Sequence, residues 1–200
     1  MIATRLLGLA GLLGGLAQIV IRLQGDNWGA PGTLQYTLYE LTNRAMAAAL
    51  LLMALGFVGL WRAQRAPTGR LGGAGFALMM LGWAMMITGT VLEFWVFSHQ
   101  PYGVLNARAL SWTAFLMGML VMLIGAALWG WAAWRTGALP RWAALALLAL
   151  PPAQILLLPL GLLGATAALS VGLGVWMLVG LHHEDTKTGR DTKEDFKAKA

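Results

Sequence analysis

Cysteine is absent from all 200 residues, so the chain has no disulfide, no thiol nucleophile and no cysteine-ligated metal or iron–sulfur centre. Charge is scarce as well. Asp, Glu, Lys and Arg make up 11% of the sequence, against about 25% in an ordinary soluble domain. Only three histidines occur, His99, His182 and His183. The sequence shows no Ser/His/Asp arrangement, phosphate loop, nucleotide fingerprint or zinc motif. No nucleophile–base pair is visible, and no enzymatic activity is expected.

Apolar sequence fills the space these absences leave. Leu71–Leu92, Ala109–Trp134 and Trp142–Leu181 contain no charged residue at all. About 20 residues at 1.5 Å each cross the ~30 Å hydrocarbon core of a bilayer. Backbone polar groups in lipid must bond to one another, so such segments are helical. The expected fold is an all-α, polytopic transmembrane bundle of six spans. They fall at Leu6–Ile21, Asn43–Trp61, Leu71–Phe97, Ala109–Trp134, 142–158 and 163–181. Residues 1–181 form the bundle, and residues 182–200 form a charged, disordered cytoplasmic tail.

Two boundaries admit alternatives. Leu6–Ile21 could instead be a signal peptide cleaved after Ala17, leaving five spans. Apolar sequence continuing through Ile19–Ile21 favours a retained helix. Residues 142–181 could enter and leave without a full crossing. The two-span reading needs a tight reversal near Pro159-Leu160-Gly161 and a kink at Pro151-Pro152, where two backbone donors are missing.

The net charge of +6 does not indicate nucleic acid. Five cations and five anions after Leu181 cancel, so the excess comes from nine arginines scattered between the apolar runs. With the N-terminus inside, the inner segments hold Arg5, Arg62, Arg65, Arg70, Arg135 and Arg141. The outer ones hold Arg22, Arg44 and Arg108, matched by Asp26, Glu40 and Glu93. Lys/Arg enrichment of short cytoplasmic loops then places both termini in the cytoplasm, in a bacterial inner membrane. Trp61, Trp131, Trp134 and Trp142 mark the inner boundary, and Trp28, Trp95 and Trp112 the outer one. A faint repeat relates Leu41–Ala45 to Leu105–Ala109, and Trp61/Arg65 to Trp131/Arg135. It suggests that spans 1–2 and 3–4 share a hairpin plan.

Glu93 is the residue most able to carry chemistry, because an acid at membrane depth is costly and needs a named partner. Arg44 and Arg108 begin spans 2 and 4 at the same level, and Glu40 can pair with Arg44 at i,i+4. Glu40, Arg44, Glu93 and Arg108 thus form a candidate polar cluster. It is either a set of ion pairs pinning helix ends or a pocket for an ion, a headgroup or a small polar molecule. Pro151, Pro152 and Gln154 form a candidate kink site, with Gln154 placed to bond carbonyls freed by the prolines or to line a passage. No acid, lysine or histidine lies near midplane, which argues against a proton-coupled carrier.

No cofactor or metal is expected. His99 is expected roughly a bilayer away from His182 and His183, which argues against bis-histidine haem within one chain. Gly11/Gly15, Gly161/Ala165 and Ser170/Gly174 have the small-residue spacing that lets helix backbones approach. They serve packing within the bundle or self-association. Expected partners are membrane lipids, and either other membrane subunits or a second copy of the chain.

Gly125–Trp129 leading through Arg135-Thr136-Gly137-Ala138-Leu139-Pro140-Arg141-Trp142 resembles a recurring loop in bacterial multi-pass membrane proteins. These are the proteins grouped as domain of unknown function 4386. Gly59-Leu60-Trp61 before a basic loop is similar to their second span. The resemblance implies a six-helix bacterial membrane protein and brings no activity or site residue. The expected function is that of a non-enzymatic accessory or structural membrane subunit. The alternative is a small transporter or ligand-binding protein using the cluster around Glu93.

Overall fold

A computed structural model describes residues 2–23, 32–64, 66–100, 106–157 and 163–179. The described chain is helical. α1 is Ile2–Leu23, α2 Leu34–Arg62, α3 Gly69–Val91, α4 Ala107–Thr136, α5 Arg141–Leu156 and α6 Gly164–Val179. A π-helical segment, Leu92–Val96, extends α3. Four helices are long and apolar enough to cross a membrane: α1, α2, α3 with its extension, and α4. At 16 residues α5 spans about 24 Å, short of the ~30 Å core, and α6 is likewise shorter than the long four. The tail and the reversal near Pro159 lie outside the described residues.

The helices are neighbours around a closed ring. α3 lies against α4, and α4 against α5. α5 meets α6 where Trp142 stands edge-on to Trp176. Ser170 of α6 donates to the Gly11 carbonyl of α1 at 2.9 Å. α1 packs on α2, and α2 touches α3 through Phe57–Trp83 and the stacked pair Trp61–Phe76.

Small residues make these approaches possible. A Cβ on Gly11 would lie 2.9 Å from the Gly56 Cα, and one on Gly15 would lie 2.7 Å from the Ala167 carbonyl. Between α3 and α4 a Cβ on Gly75 would lie 2.5 Å from the Trp129 nitrogen. Lipid gives apolar side chains no reason to leave it, so close backbone packing holds such helices together. Both residues of the Gly11/Gly15 pair are therefore covered within the chain, by α2 and α6.

On α1 the usual placement of side chains is inverted. Gly8, Gly11, Gly14, Gly15 and Gln18 are buried, while Leu6, Leu9, Leu13, Leu16 and Val20 are exposed. Soluble monomers rarely expose contiguous apolar patches larger than a few hundred Å². Large outward side chains over an inward glycine stripe, with four helices of spanning length, mark a membrane protein.

Two local details, the start of α2 and the partner of Gln154, differ from the sequence expectation. α2 begins at Leu34, nine residues before Asn43, because Thr33 caps the Tyr36 amide. The polar side chains of Thr37, Thr42 and Asn43 bond back to carbonyls of the preceding turn, which lets this stretch continue as helix. Pro151 and Pro152 sit within α5, which runs on to Leu156. Gln154 does not bond carbonyls freed by them. Its Oε1 accepts from the Thr166 hydroxyl at 3.1 Å and the Thr166 amide at 3.4 Å, tying α5 to the first turn of α6. The residue before α6, Leu163, is buried with φ 69°, a left-handed conformation that costs energy without a glycine.

Candidate polar clasp at one end of the bundle

Each of the six helices brings a buried polar side chain to the same half of the bundle. They are Gln18, Glu40, Glu93, Arg108, Gln154 and Thr166 in helix order, with Thr90, Ser111 and Ser170 beside them. At the opposite end Thr68 is the buried polar residue among those described. The first group defines a polar end, and the second lies at a basic end.

At the polar end Glu40, Arg44 and Arg108 are brought together, and Glu93 is buried in the segment whose Phe94 carbonyl Arg44 holds. Arg108 opens α4 next to its cap Asn106, whose side chain accepts from the Ala109 amide. The Arg108 Nη2 reaches Glu40 Oε1 of α2 at 2.5 Å. Arg108 is 1% exposed and Glu40 is 9% exposed, so the pair is shielded from solvent. Arg44 approaches the other Glu40 oxygen at 3.9 Å, so the interhelical pair, and not the i,i+4 pair, is the close one.

Both arginines also hold the end of α3. Arg44 Nε donates to the Phe94 carbonyl at 2.9 Å. Arg108 Nη1 donates to the carbonyls of Ser98 and Gln100 at 3.0 and 3.1 Å. The Ser98 and Gln100 carbonyls belong to the turn after the π-helical segment, where no helix ladder supplies donors, and Arg108 satisfies them. Phe94 is the central apolar contact. Arg108 lies over its ring at 5.8 Å, and Tyr39 meets it edge-on at 5.8 Å. Glu93, one residue before it, is 3% exposed in the π-helical segment, which closes with the Phe97 amide bonded to the Leu92 carbonyl.

This arrangement is a clasp: one carboxylate and two guanidinium groups join α2, α4 and the end of α3. The contribution of Phe94 and of the α3 terminal carbonyls has no sequence signal, because a backbone acceptor looks alike at every position. Gln18 is a further surprise. It is fully buried, and neither its amide oxygen nor its nitrogen has a hydrogen-bond partner. Among the described residues no three metal-binding side chains gather, and His99 is exposed.

At the basic end Arg62, Arg70, Arg135 and Arg141 are exposed. Trp61, Phe76 and Trp129 form an aromatic group there, with ring centroids 4.4 to 5.7 Å apart. Trp131, Trp134 and Trp142 face outward, as aromatic residues do at a membrane interface.

Comparison with protein-family models, characterised proteins and solved structures returns no match.

Proposed function

We propose that the chain is a non-enzymatic integral membrane protein of a bacterial cytoplasmic membrane, acting as an accessory or structural subunit. Six crossings and cytoplasmic termini belong to this reading, with α5 and α6 as a short final hairpin. Flanking arginines and local thinning of the bilayer accommodate helices below full thickness. A distant kinship with the six-helix proteins of the 4386 group is part of the same reading and adds no activity.

One observation carries the functional part. The Glu40–Arg108 pair is closed to solvent, and the two arginines bond Glu40 and the carbonyls of Phe94, Ser98 and Gln100. Groups bonded in this way within the chain hold helices, although the second Glu40 oxygen is buried without a hydrogen bond. The competing reading, a small transporter or ligand-binding protein using the cluster around Glu93, draws on the π-helical segment, since such turns recur at functional sites.

Purification of the full chain in mild detergent separates the two. A stoichiometric protein partner is expected. A non-lipid small molecule retained at the polar end, or ion flux through reconstituted protein, would favour the transporter. Orientation has its own test: reporter fusions after Gly69, Gly137 and Lys187 should read cytoplasmic, and those after Gly32 and Gly103 periplasmic.

A further inference from the structure

Both faces of α1 follow a seven-residue repeat. On the inner face Gly8 recurs as Gly15 and Gly11 as Gln18, and all four are buried. A Cβ on Gly8 would lie 2.7 Å from the Met177 Cβ of α6, and one on Gly14 would lie 2.6 Å from the Met53 nitrogen of α2. That face is complete within the chain. On the outer face Ile2-Ala3, Leu9-Ala10 and Leu16-Ala17 stand seven residues apart, with Leu6, Leu13 and Val20 four residues after the start of each pair. The large side chains of this stripe are exposed, as is Leu23 at its end. In heptad terms Leu6, Leu13 and Val20 hold the a positions, and Ile2, Leu9, Leu16 and Leu23 hold d. Alanine holds every e position of the helix.

Lipid asks only that an outward face be apolar. α4 shows what that requirement alone yields: its exposed positions have the same spacing of three and four, yet hold Leu110, Thr113, Met117, Leu120 and Ile124. α1 keeps to Leu, Ile and Val at every a and d position and to Ala beside each d. It is also the least covered of the four long helices. Of its apolar stretch 28% is buried, against 50, 39 and 44% in α2, α3 with its extension, and α4. The stripe runs the length of the helix, 22 residues or about 33 Å, as long as the ~30 Å hydrocarbon core is thick. An apolar period of 3.5 residues suits a second helix of the same period, whose a and d side chains enter the holes between these. Small residues along the flank let two backbones approach, which is what joins helices in lipid.

We propose that this stripe pairs with the same stripe of a second copy of the chain, α1 along α1, as a parallel two-stranded coil. Two copies in one membrane share one orientation, so the pair is parallel, with its two-fold axis along the membrane normal. Each a position then meets its own counterpart and each d position likewise, which makes a stripe of one residue class self-complementary. α2 and α6 cover the inner side of α1, leaving one stripe per copy, and a two-fold pair closes both stripes at once. The inference rests on the membrane reading, which the reporter fusions test independently of any pairing.

The absence of cysteine makes the test clean, since one introduced thiol can join only to the thiol of another copy. The full chain is reconstituted in phosphatidylcholine vesicles at high lipid-to-protein ratio and oxidised with copper phenanthroline. Leu9→Cys, Leu13→Cys and Leu16→Cys should each give a linked dimer, because like a or d positions stand opposite one another, near the ~3.5–4.5 Å between Cβ atoms that a disulfide needs. Leu51→Cys on α2 and Leu120→Cys on α4 are as exposed, report random collision, and should link little. Energy transfer between copies carrying fluorescent proteins after Ala200 reads the dimer dissociation constant in the same vesicles. Leu9→Ala with Leu16→Ala removes two exposed d side chains, so it should raise that constant about tenfold or more while the unfolding midpoint holds. Leu120→Ala with Ile124→Ala should change it by no more than about twofold. Equal linking at the α1, α2 and α4 positions, or an unchanged constant in the α1 double variant, would overturn the pairing. A chain that stays monomeric would overturn it as well and assign the stripe to lipid, while reporter fusions reading as expected would leave the membrane reading standing.

Discussion

The two ends of this bundle handle most of their arginines in opposite ways, Arg5 being half-buried on α1 at the basic end. At the polar end Arg108 is buried and Arg44 half-buried, and both are held by Glu40 and by carbonyls of the segment that follows α3. At the basic end Arg62, Arg70, Arg135 and Arg141 are exposed. The starts of α2 to α5 follow the same division. Thr33 and Asn106 cap α2 and α4 at the polar end, whereas the residues preceding α3 and α5 at the basic end, Thr68 and Pro140, make no side-chain cap. One end is closed by its own groups, and the other keeps cations and helix-start amides facing outward. A difference of this kind separates residues that hold a fold from residues that meet surroundings.

Breaking the clasp should have the largest effect. Arg108→Ala leaves Glu40 buried without its close partner and uncovers the Ser98 and Gln100 carbonyls. Removing one member of a buried ion pair costs about 3–5 kcal/mol, so unfolding stability in mixed micelles should fall by that order. The same substitution at Arg135, exposed at the basic end, should change stability by no more than about 0.5 kcal/mol. Similar losses at both sites would erase the contrast.

Gln18 sharpens the comparison from the other direction. Both polar atoms of its amide are buried without partners, a cost of about 1–3 kcal/mol. Gln18→Leu, close in volume, should therefore raise stability by roughly 1 kcal/mol or more, read as an upward shift in the unfolding midpoint. A loss instead would show that the amide is satisfied in the membrane by a bound molecule.

The caps give a smaller contrast. Asn106→Ala and Thr33→Ala should each lower stability by about 1 kcal/mol, because each frees an amide that is now bonded. Thr68→Ala removes no cap and should be near neutral by the same measurement. A cap-sized loss at Thr68 would mean that its hydroxyl serves α3 after all.

Much of this architecture is legible in the sequence, for reasons that also set the limit. Charge-free runs reveal the long helices because no other structure satisfies the backbone in lipid. The start of α2 is hidden, because Thr33–Thr42 is polar and its side-chain bonds to carbonyls cannot be read from composition. Glu40, Arg44, Glu93 and Arg108 stand out as charges among apolar residues, yet their pairing does not. A local rule matches Glu40 with Arg44, while ring closure brings Arg108, 68 residues away, to within 2.5 Å. Gln154 is visible as a polar residue beside two prolines, but its partner Thr166 lies across a reversal on another helix.

A double-mutant cycle between Glu40 and Arg108 probes the clasp most directly. Glu40→Gln, Arg108→Met and the double variant are unfolded reversibly in mixed micelles. A clasp requires a favourable coupling of about 1 kcal/mol or more, with the double variant recovering much of what the worse single variant loses. Coupling within about 0.3 kcal/mol of zero would mean that the two charges act separately, and the structural reading of the polar end would fail.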